Sequence, residues 1–198
     1  MQPCVPLATH PLFLTLPHTM NSNLNQNTSM KEVLIYAAEN GQSNLLIAAL
    51  ELGADPNSTT HFDNSALLNA AYYGQSDCVK LLLRAGANAD HVNDMGETPI
   101  MMAAKNGHVE CVRLLKPYSH EYEMRDDEGK TVFDYAAEQG NVEILRLLNE
   151  PDTEPTYTAN DMPVYDSAAP YEELVQEAKD HLRTTYFTQK DMDRTPLL

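Results

Sequence analysis

The stretch Thr98-Pro99-Ile100-Met101-Met102-Ala103-Ala104-Lys105-Asn106-Gly107-His108-Val109-Glu110-Cys111-Val112-Arg113-Leu114-Leu115 decides the fold. Thr98 can cap a helix whose first residue is Pro99, where the missing N–H costs nothing. The Ala103-Ala104 pair lets another helix approach closely. Gly107 ends the helix, with a left-handed backbone that a side chain would strain. A second short helix follows, carrying Cys111, Val112, Leu114 and Leu115 as its apolar residues.

The same pattern recurs on both sides. Ala37-Ala38-Glu39-Asn40-Gly41, Ala70-Ala71-Tyr72-Tyr73-Gly74 and Ala136-Ala137-Glu138-Gln139-Gly140 repeat Ala103–Gly107, and the four glycines stand 33 residues apart. A fixed period of this length marks a stacked repeat array. Ser65 and Thr131 occupy the capping slot of Thr98, and Asp77–Leu83 repeats the second helix. Gly53 and Gly86 end that helix in the first two units. Asn93-Asp94-Met95-Gly96 and Asp126-Asp127-Glu128-Gly129 have turn chemistry and lead into the next unit.

These residues resemble the ankyrin repeat. The match lies in a Thr-Pro-Leu-His-x-Ala-Ala opening at Thr98–Ala104, a Gly-His-x-Glu-x-Val-x-x-Leu-Leu second helix at Gly107–Leu115, and a Gly-Ala-Asp-x-Asn turn at Gly53–Asn57. The resemblance implies an all-α solenoid of paired antiparallel helices with hairpin-like loops. It covers residues 31–150 as repeats 31–63, 64–96, 97–129 and 130–150. The family histidine is replaced by Ile35, Leu68, Met101 and Asp134, and Pro117 should shorten the second helix of the third repeat.

The flanks differ in texture. Residues 1–30 contain no charged side chain, four prolines and an Asn/Ser-rich run, which predicts a disordered segment without the positive flank of a secretory signal. Residues 151–169 read as a linker. Pro170 opens an expected amphipathic helix at 170–187, with Tyr171, Leu174, Val175, Ala178, Leu182 and Tyr186 near one face; 188–198 is expected to be a disordered tail. That helix could dock on the open end of the solenoid against the last repeat, or stay free to bind a partner.

The chain has 198 residues, 29 acidic against 13 basic, for a net charge of −16. This argues against unaided binding to nucleic acid or an anionic membrane. The longest apolar runs, such as 45–50, are too short to cross a bilayer. Three widely spaced cysteines give neither a disulfide framework nor a metal site and fit a reducing, cytoplasmic compartment. Cys78 and Cys111 share one slot and read as small core hydrophobes.

No nucleophile–base pair, phosphate loop or metal set stands out, so no enzyme, cofactor or metal is expected. By resemblance, the array is a monomeric protein-binding scaffold whose specificity lies on the concave face. Tyr36, Asn69, Met102 and Tyr135 share one first-helix slot expected to face that groove. The residues expected to contact a partner are His61, Phe62, Tyr72, Tyr73, Met95, Met102, Lys105 and Tyr135, with the aromatics of the second repeat as anchor and an acidic rim around them.

The tail holds short patterns that suggest a signalling or trafficking adaptor, or a translocated bacterial effector acting in host cytoplasm. The segment around Tyr157 is similar to the Glu-Pro-Ile-Tyr-Ala motif of bacterial effectors. Tyr171-Glu172-Glu173-Leu174 resembles a tyrosine-kinase product or an adaptor signal, and Asp193–Leu198 resembles an acidic dileucine signal ending in Leu197 and Leu198.

Overall fold

The computed structural model describes residues 29–120 and 122–151, together with 175–176, 178–180 and 182–183. Four helix pairs follow one another: α1 (Met30–Glu39) and α2 (Ser43–Glu51), α3 (Ala66–Tyr72) and α4 (Ser76–Arg84), α5 (Pro99–Lys105) and α6 (Val109–Leu115), α7 (Val132–Glu138) and α8 (Val142–Asn149). Each first helix packs on the next first helix, and each second helix on the next second helix, so two parallel rows form one slab. An isolated bridge between Thr59 and Ser65 is the only β pairing among the described residues.

Each first helix starts at a side-chain cap. Ser65 Oγ accepts from the Leu68 amide at 3.1 Å, and Thr98 Oγ1 from the Met101 amide at 3.4 Å. In the last repeat Asp134, standing where the family has histidine, completes a capping box by accepting from the Thr131 amide at 2.8 Å. The first helix departs from the repeat register. Its cap is Ser29, boxed with Glu32, so α1 begins at Met30 and has 10 residues against 7 in α3. The expected boundary at 30 therefore cuts through a helix start.

The alanine pairs sit where the rows meet. Ala37, Ala38, Ala70, Ala71, Ala103 and Ala104 are fully buried, whereas Ala137 of the fourth repeat is exposed, since among the described residues no further first helix packs on it. Pro117 acts as expected: α6 stops at Leu115 and the chain continues as a 3₁₀ turn over Lys116–Tyr118.

The four repeat glycines have positive φ, and at Gly74 (+71°) space matters as well. A Cβ there would lie 2.6 Å from Nδ1 of His108, whose Nε2 donates to the Tyr72 carbonyl at 3.0 Å. At Gly86 (+84°) a Cβ meets nothing within 4 Å. Gly86→Ala should therefore cost only the left-handed penalty, about 1 kcal/mol. Gly74→Ala should cost more, on the order of 2 kcal/mol, because His108 must also move and lose its bond. Urea unfolding of the two variants checks the order, and equal costs would remove the His108 contact from the account.

Cys78 and Cys111 are buried and unbridged. Burial pushes the Cys78 thiol up to about 11 and the Cys111 thiol up to about 12. In a Cys4→Ser background, neither should react with a thiol reagent at neutral pH until the chain is unfolded. Rapid labelling of the native protein would overturn the core assignment.

In the C-terminal stretch the described residues are helical. Val175, Ala178 and Leu182 are buried, and Lys179 forms an ion pair with Glu51 of α2. This corrects the expected docking on the last repeat, because the ion pair is made with the first. The expected segments at 1–28, 152–174 and 184–198 lie outside the described residues.

Candidate partner-binding face

The loops between repeats are built by one side-chain slot used three times. Thr60 Oγ1 accepts the amides of Phe62 and Asn64 at 3.3 and 3.1 Å. Asn93 Oδ1 accepts those of Met95 and Glu97 at 3.0 and 2.9 Å. Asp126 Oδ1 accepts those of Glu128 and Lys130, both at 2.9 Å. Each side chain satisfies amides that the turn leaves unpaired. The loops are also tied in series, since the Asp94 amide donates to the Phe62 carbonyl and the Asp127 amide to the Met95 carbonyl. The tip residues Phe62 and Met95 occupy the same slot one repeat apart and are 63% and 59% exposed.

The C-terminal ends of the first helices lie beside these loops. Lys105 pairs with Glu97 at 2.7 Å, and one repeat on Glu138 pairs with Lys130 at 3.0 Å. The same helix slot meets the same loop slot twice. In the second repeat that helix slot is Tyr72, with Tyr73 next to it. Both are exposed, and their rings meet edge to face with centroids 4.8 Å apart. His61 and Phe62 make a second ring contact at 5.6 Å. Toward the first repeat, a cavity of about 620 Å³ opens between α1 and the first loop, lined by Lys31, Glu32, Ile35, Tyr36, Glu39, Thr60 and His61.

The third and fourth repeats present a polar network. Glu97 is buried, and its carboxylate takes Lys105 on one oxygen and Asn93 Nδ2 on the other, at 3.0 Å. Lys105 and Lys130 approach the Tyr135 ring at 5.0 and 5.3 Å. The Tyr135 hydroxyl donates to Asp126 Oδ2. Burial works against charge on Asp126. The bonds from Tyr135 and from the Lys130 and Glu128 amides, with the nearby Lys105 charge, outweigh it and hold the carboxyl below its ordinary range. Burial and the Asp126 carboxylate both push the Tyr135 phenol up. Lys130 is drawn to Glu138 and Glu128, while Asp94, Asp127, Glu128 and Glu138 stay exposed as an acidic rim.

A family model described as ankyrin repeats (3 copies) matches residues 34–126 and, one repeat further along, residues 67–159. The chain belongs to the ankyrin repeat family. No curated protein matches it. Ankyrin repeats are protein–protein interaction modules and typically have no enzymatic role.

Within this ankyrin array the expected contact residues divide. His61, Phe62, Tyr72, Tyr73 and Met95 are exposed. Lys105 is partly exposed but committed to Glu97. Met102 and Tyr135 are buried, at 8% and 3% exposure, so neither offers a partner a surface; Asn69 in the same slot is buried too. That slot lies beneath the groove, and only Tyr36 at its open end is partly accessible. The expected tail residues Tyr157, Tyr171, Leu197 and Leu198 lie outside the described residues. Among the described residues, no three His, Cys, Asp or Glu side chains are grouped to hold a metal ion. No helix there is long and apolar enough to cross a membrane.

Turn chemistry in the sequence points to Asn93 and Asp126 but not to the ankyrin loop slot they share with Thr60. Its signal was present: three residues able to accept hydrogen bonds, 33 positions apart, each opening a turn.

Proposed function

We propose that the chain is a non-enzymatic scaffold that captures a partner protein on its concave face, with Phe62, Tyr72, Tyr73 and Met95 as the anchor. One observation carries this reading. Four of the five large apolar side chains that stand exposed among the described residues are on consecutive loop tips and the adjoining first-helix end. Exposed aromatics gathered on rigid elements mark interaction sites, whereas single ones scattered over a surface carry no such message. The rim around them is acidic, and Lys105 and Lys130, which stand among these carboxylates, are engaged by acids of the chain itself. A partner suited to this face presents an apolar segment flanked by Lys or Arg. The reading is of a monomeric, cofactor-free protein in a reducing cytoplasm, with neither nucleic acid nor membrane insertion involved.

Affinity purification with mass spectrometry tests it, comparing the wild-type chain with Phe62→Ala/Met95→Ala and with Val142→Asp. Val142 is 76% exposed on a second helix, away from the loops. A protein lost with the loop-tip variant and kept with Val142→Asp supports the reading. The reverse pattern places the interface on the second-helix face and overturns it.

A further inference from the structure

We infer that the C-terminal helical stretch is the cap of the first repeat, docked on an apolar surface of α2 that the array itself leaves open. The repeat register makes that surface visible. Ile47 stands in the slot of Lys80, Arg113 and Arg146. Lys80 is partly exposed and the two arginines are exposed, yet Ile47 is 7% exposed. Ala48 stands in the slot of Leu81, Leu114 and Leu147; the first two are partly exposed and Leu147 is 7% exposed, whereas Ala48 is completely buried, so the main contrast is at Ile47. Because α2 begins the row of second helices, only α4 flanks it in that row. Something further covers the face of Ile47 and Ala48, and the alanine leaves room for a close neighbour.

The ion pair identifies the cover. Glu51 lies one helical turn beyond Ile47 on the same face, and its partner is Lys179. Around Lys179, the apolar residues Val175, Ala178 and Leu182 follow a helical spacing of three and four, and all are buried. Ala178 and Leu182 join the one apolar core that runs through the array, and the ion pair to Glu51 places the stretch at its first repeat. Gln176, Asp180 and Arg183 are exposed. Gln176 donates to Asp180 at 2.8 Å and Arg183 pairs with Asp180 at 3.8 Å, so the outward side is polar.

A solenoid must close its terminal apolar faces to stay soluble. Most of this array does so with charged outer positions. The first repeat has an isoleucine in the slot where the others have Lys or Arg, and borrows its polar surface from the far end of the chain. While docked, this helix is not a free partner-binding element.

Hydrogen exchange read by mass spectrometry on the full chain tests the assignment with two variants, Leu182→Asp and Ile47→Lys. The second introduces a basic residue, which the other three repeats carry exposed or partly exposed in this slot, so it leaves the repeats folded and disturbs only a covered face. Both variants are expected to accelerate exchange across α2 and the C-terminal stretch at least ten-fold, with α5 to α8 unchanged. Acceleration of α2 by Ile47→Lys but not by Leu182→Asp would overturn the proposal, because another segment would then be the cover. Unchanged exchange with both variants, or a response centred on α8, would overturn it as well. Size measurement over a concentration series completes the test. A wild-type dimer that Leu182→Asp converts to monomer would assign the docked helix to a second copy and overturn the in-chain cap.

Discussion

Asp126→Ala is expected to lower stability by about 2–3 kcal/mol, measured by urea unfolding. Asp126 is buried, and its carboxylate holds three donors at once: the amides of Glu128 and Lys130 and the hydroxyl of Tyr135. Alanine leaves all three without this acceptor. It also removes the negative charge facing Lys105, which lies over the Tyr135 ring. Asp126→Asn is the instructive contrast. One repeat earlier Asn93 does the same work, accepting the amides of Met95 and Glu97 on a single oxygen. Asparagine at 126 should keep both amide bonds and cost about 1 kcal/mol or less.

The pH dependence follows from the sign of the shift. The folded carboxyl of Asp126 is held below its ordinary range, so its charge stabilises the fold. That contribution is complete above the unfolded value, near pH 4, and is lost as pH falls through the lower folded value. The stability gap between wild type and Asp126→Asn should therefore be constant near neutrality and narrow on acidification. If alanine proves no more costly than asparagine, the loop does not depend on this side chain.

The array itself could be read from the sequence because its grammar is local. A cap, an alanine pair, a glycine and an apolar second helix each act within one unit, and the 33-residue period sets them in register. Positions that depend on side chains far apart in sequence were less legible. Tyr135 shares a slot with Tyr36, and period alone puts both at the groove. Tyr135 is buried because Asp126, nine residues earlier, offers its hydroxyl a partner; Tyr36 at the array's open end stays partly accessible. Glu97 follows the Asn93–Gly96 turn, where sequence alone suggests exposure, but Lys105 and Asn93 supply the partners that make its burial tolerable.

The ends were hardest to read. The register predicts that α1 begins beside Glu32, yet the Ser29–Glu32 box starts it at Met30 and adds a turn. The period of the C-terminal stretch reveals an amphipathic helix but not its partner. The decisive residues, Ile47 and Ala48, lie some 130 positions away. Ile47 stands out only when its burial is compared with that of Lys80, Arg113 and Arg146 in the other repeats.

Replacing Tyr72 and Tyr73 together by alanine is expected to weaken partner binding by about 2 kcal/mol or more, a loss of roughly thirty-fold. The two rings are 40% and 52% exposed and braced against each other, so they present a large apolar area that is already ordered. The substitution leaves the local backbone held, because His108 bonds to the carbonyl of residue 72 and not to its ring. Stability should therefore change by about 1 kcal/mol or less, mostly the lost ring contact. Isothermal titration with the captured partner and thermal unfolding of the free chain measure the two effects separately. A large fall in melting temperature with unchanged affinity would show that these rings serve the fold and not the partner. The equivalent positions two repeats on, Glu138 and Gln139, are the internal control. They are exposed but polar, and Glu138 is already paired with Lys130. Alanine there should cost under about 1 kcal/mol of binding, since rim contacts exclude water more than they attract. An equal loss at both ends of the array would mean that the partner lies along the whole groove, with affinity spread over the rim and no aromatic anchor.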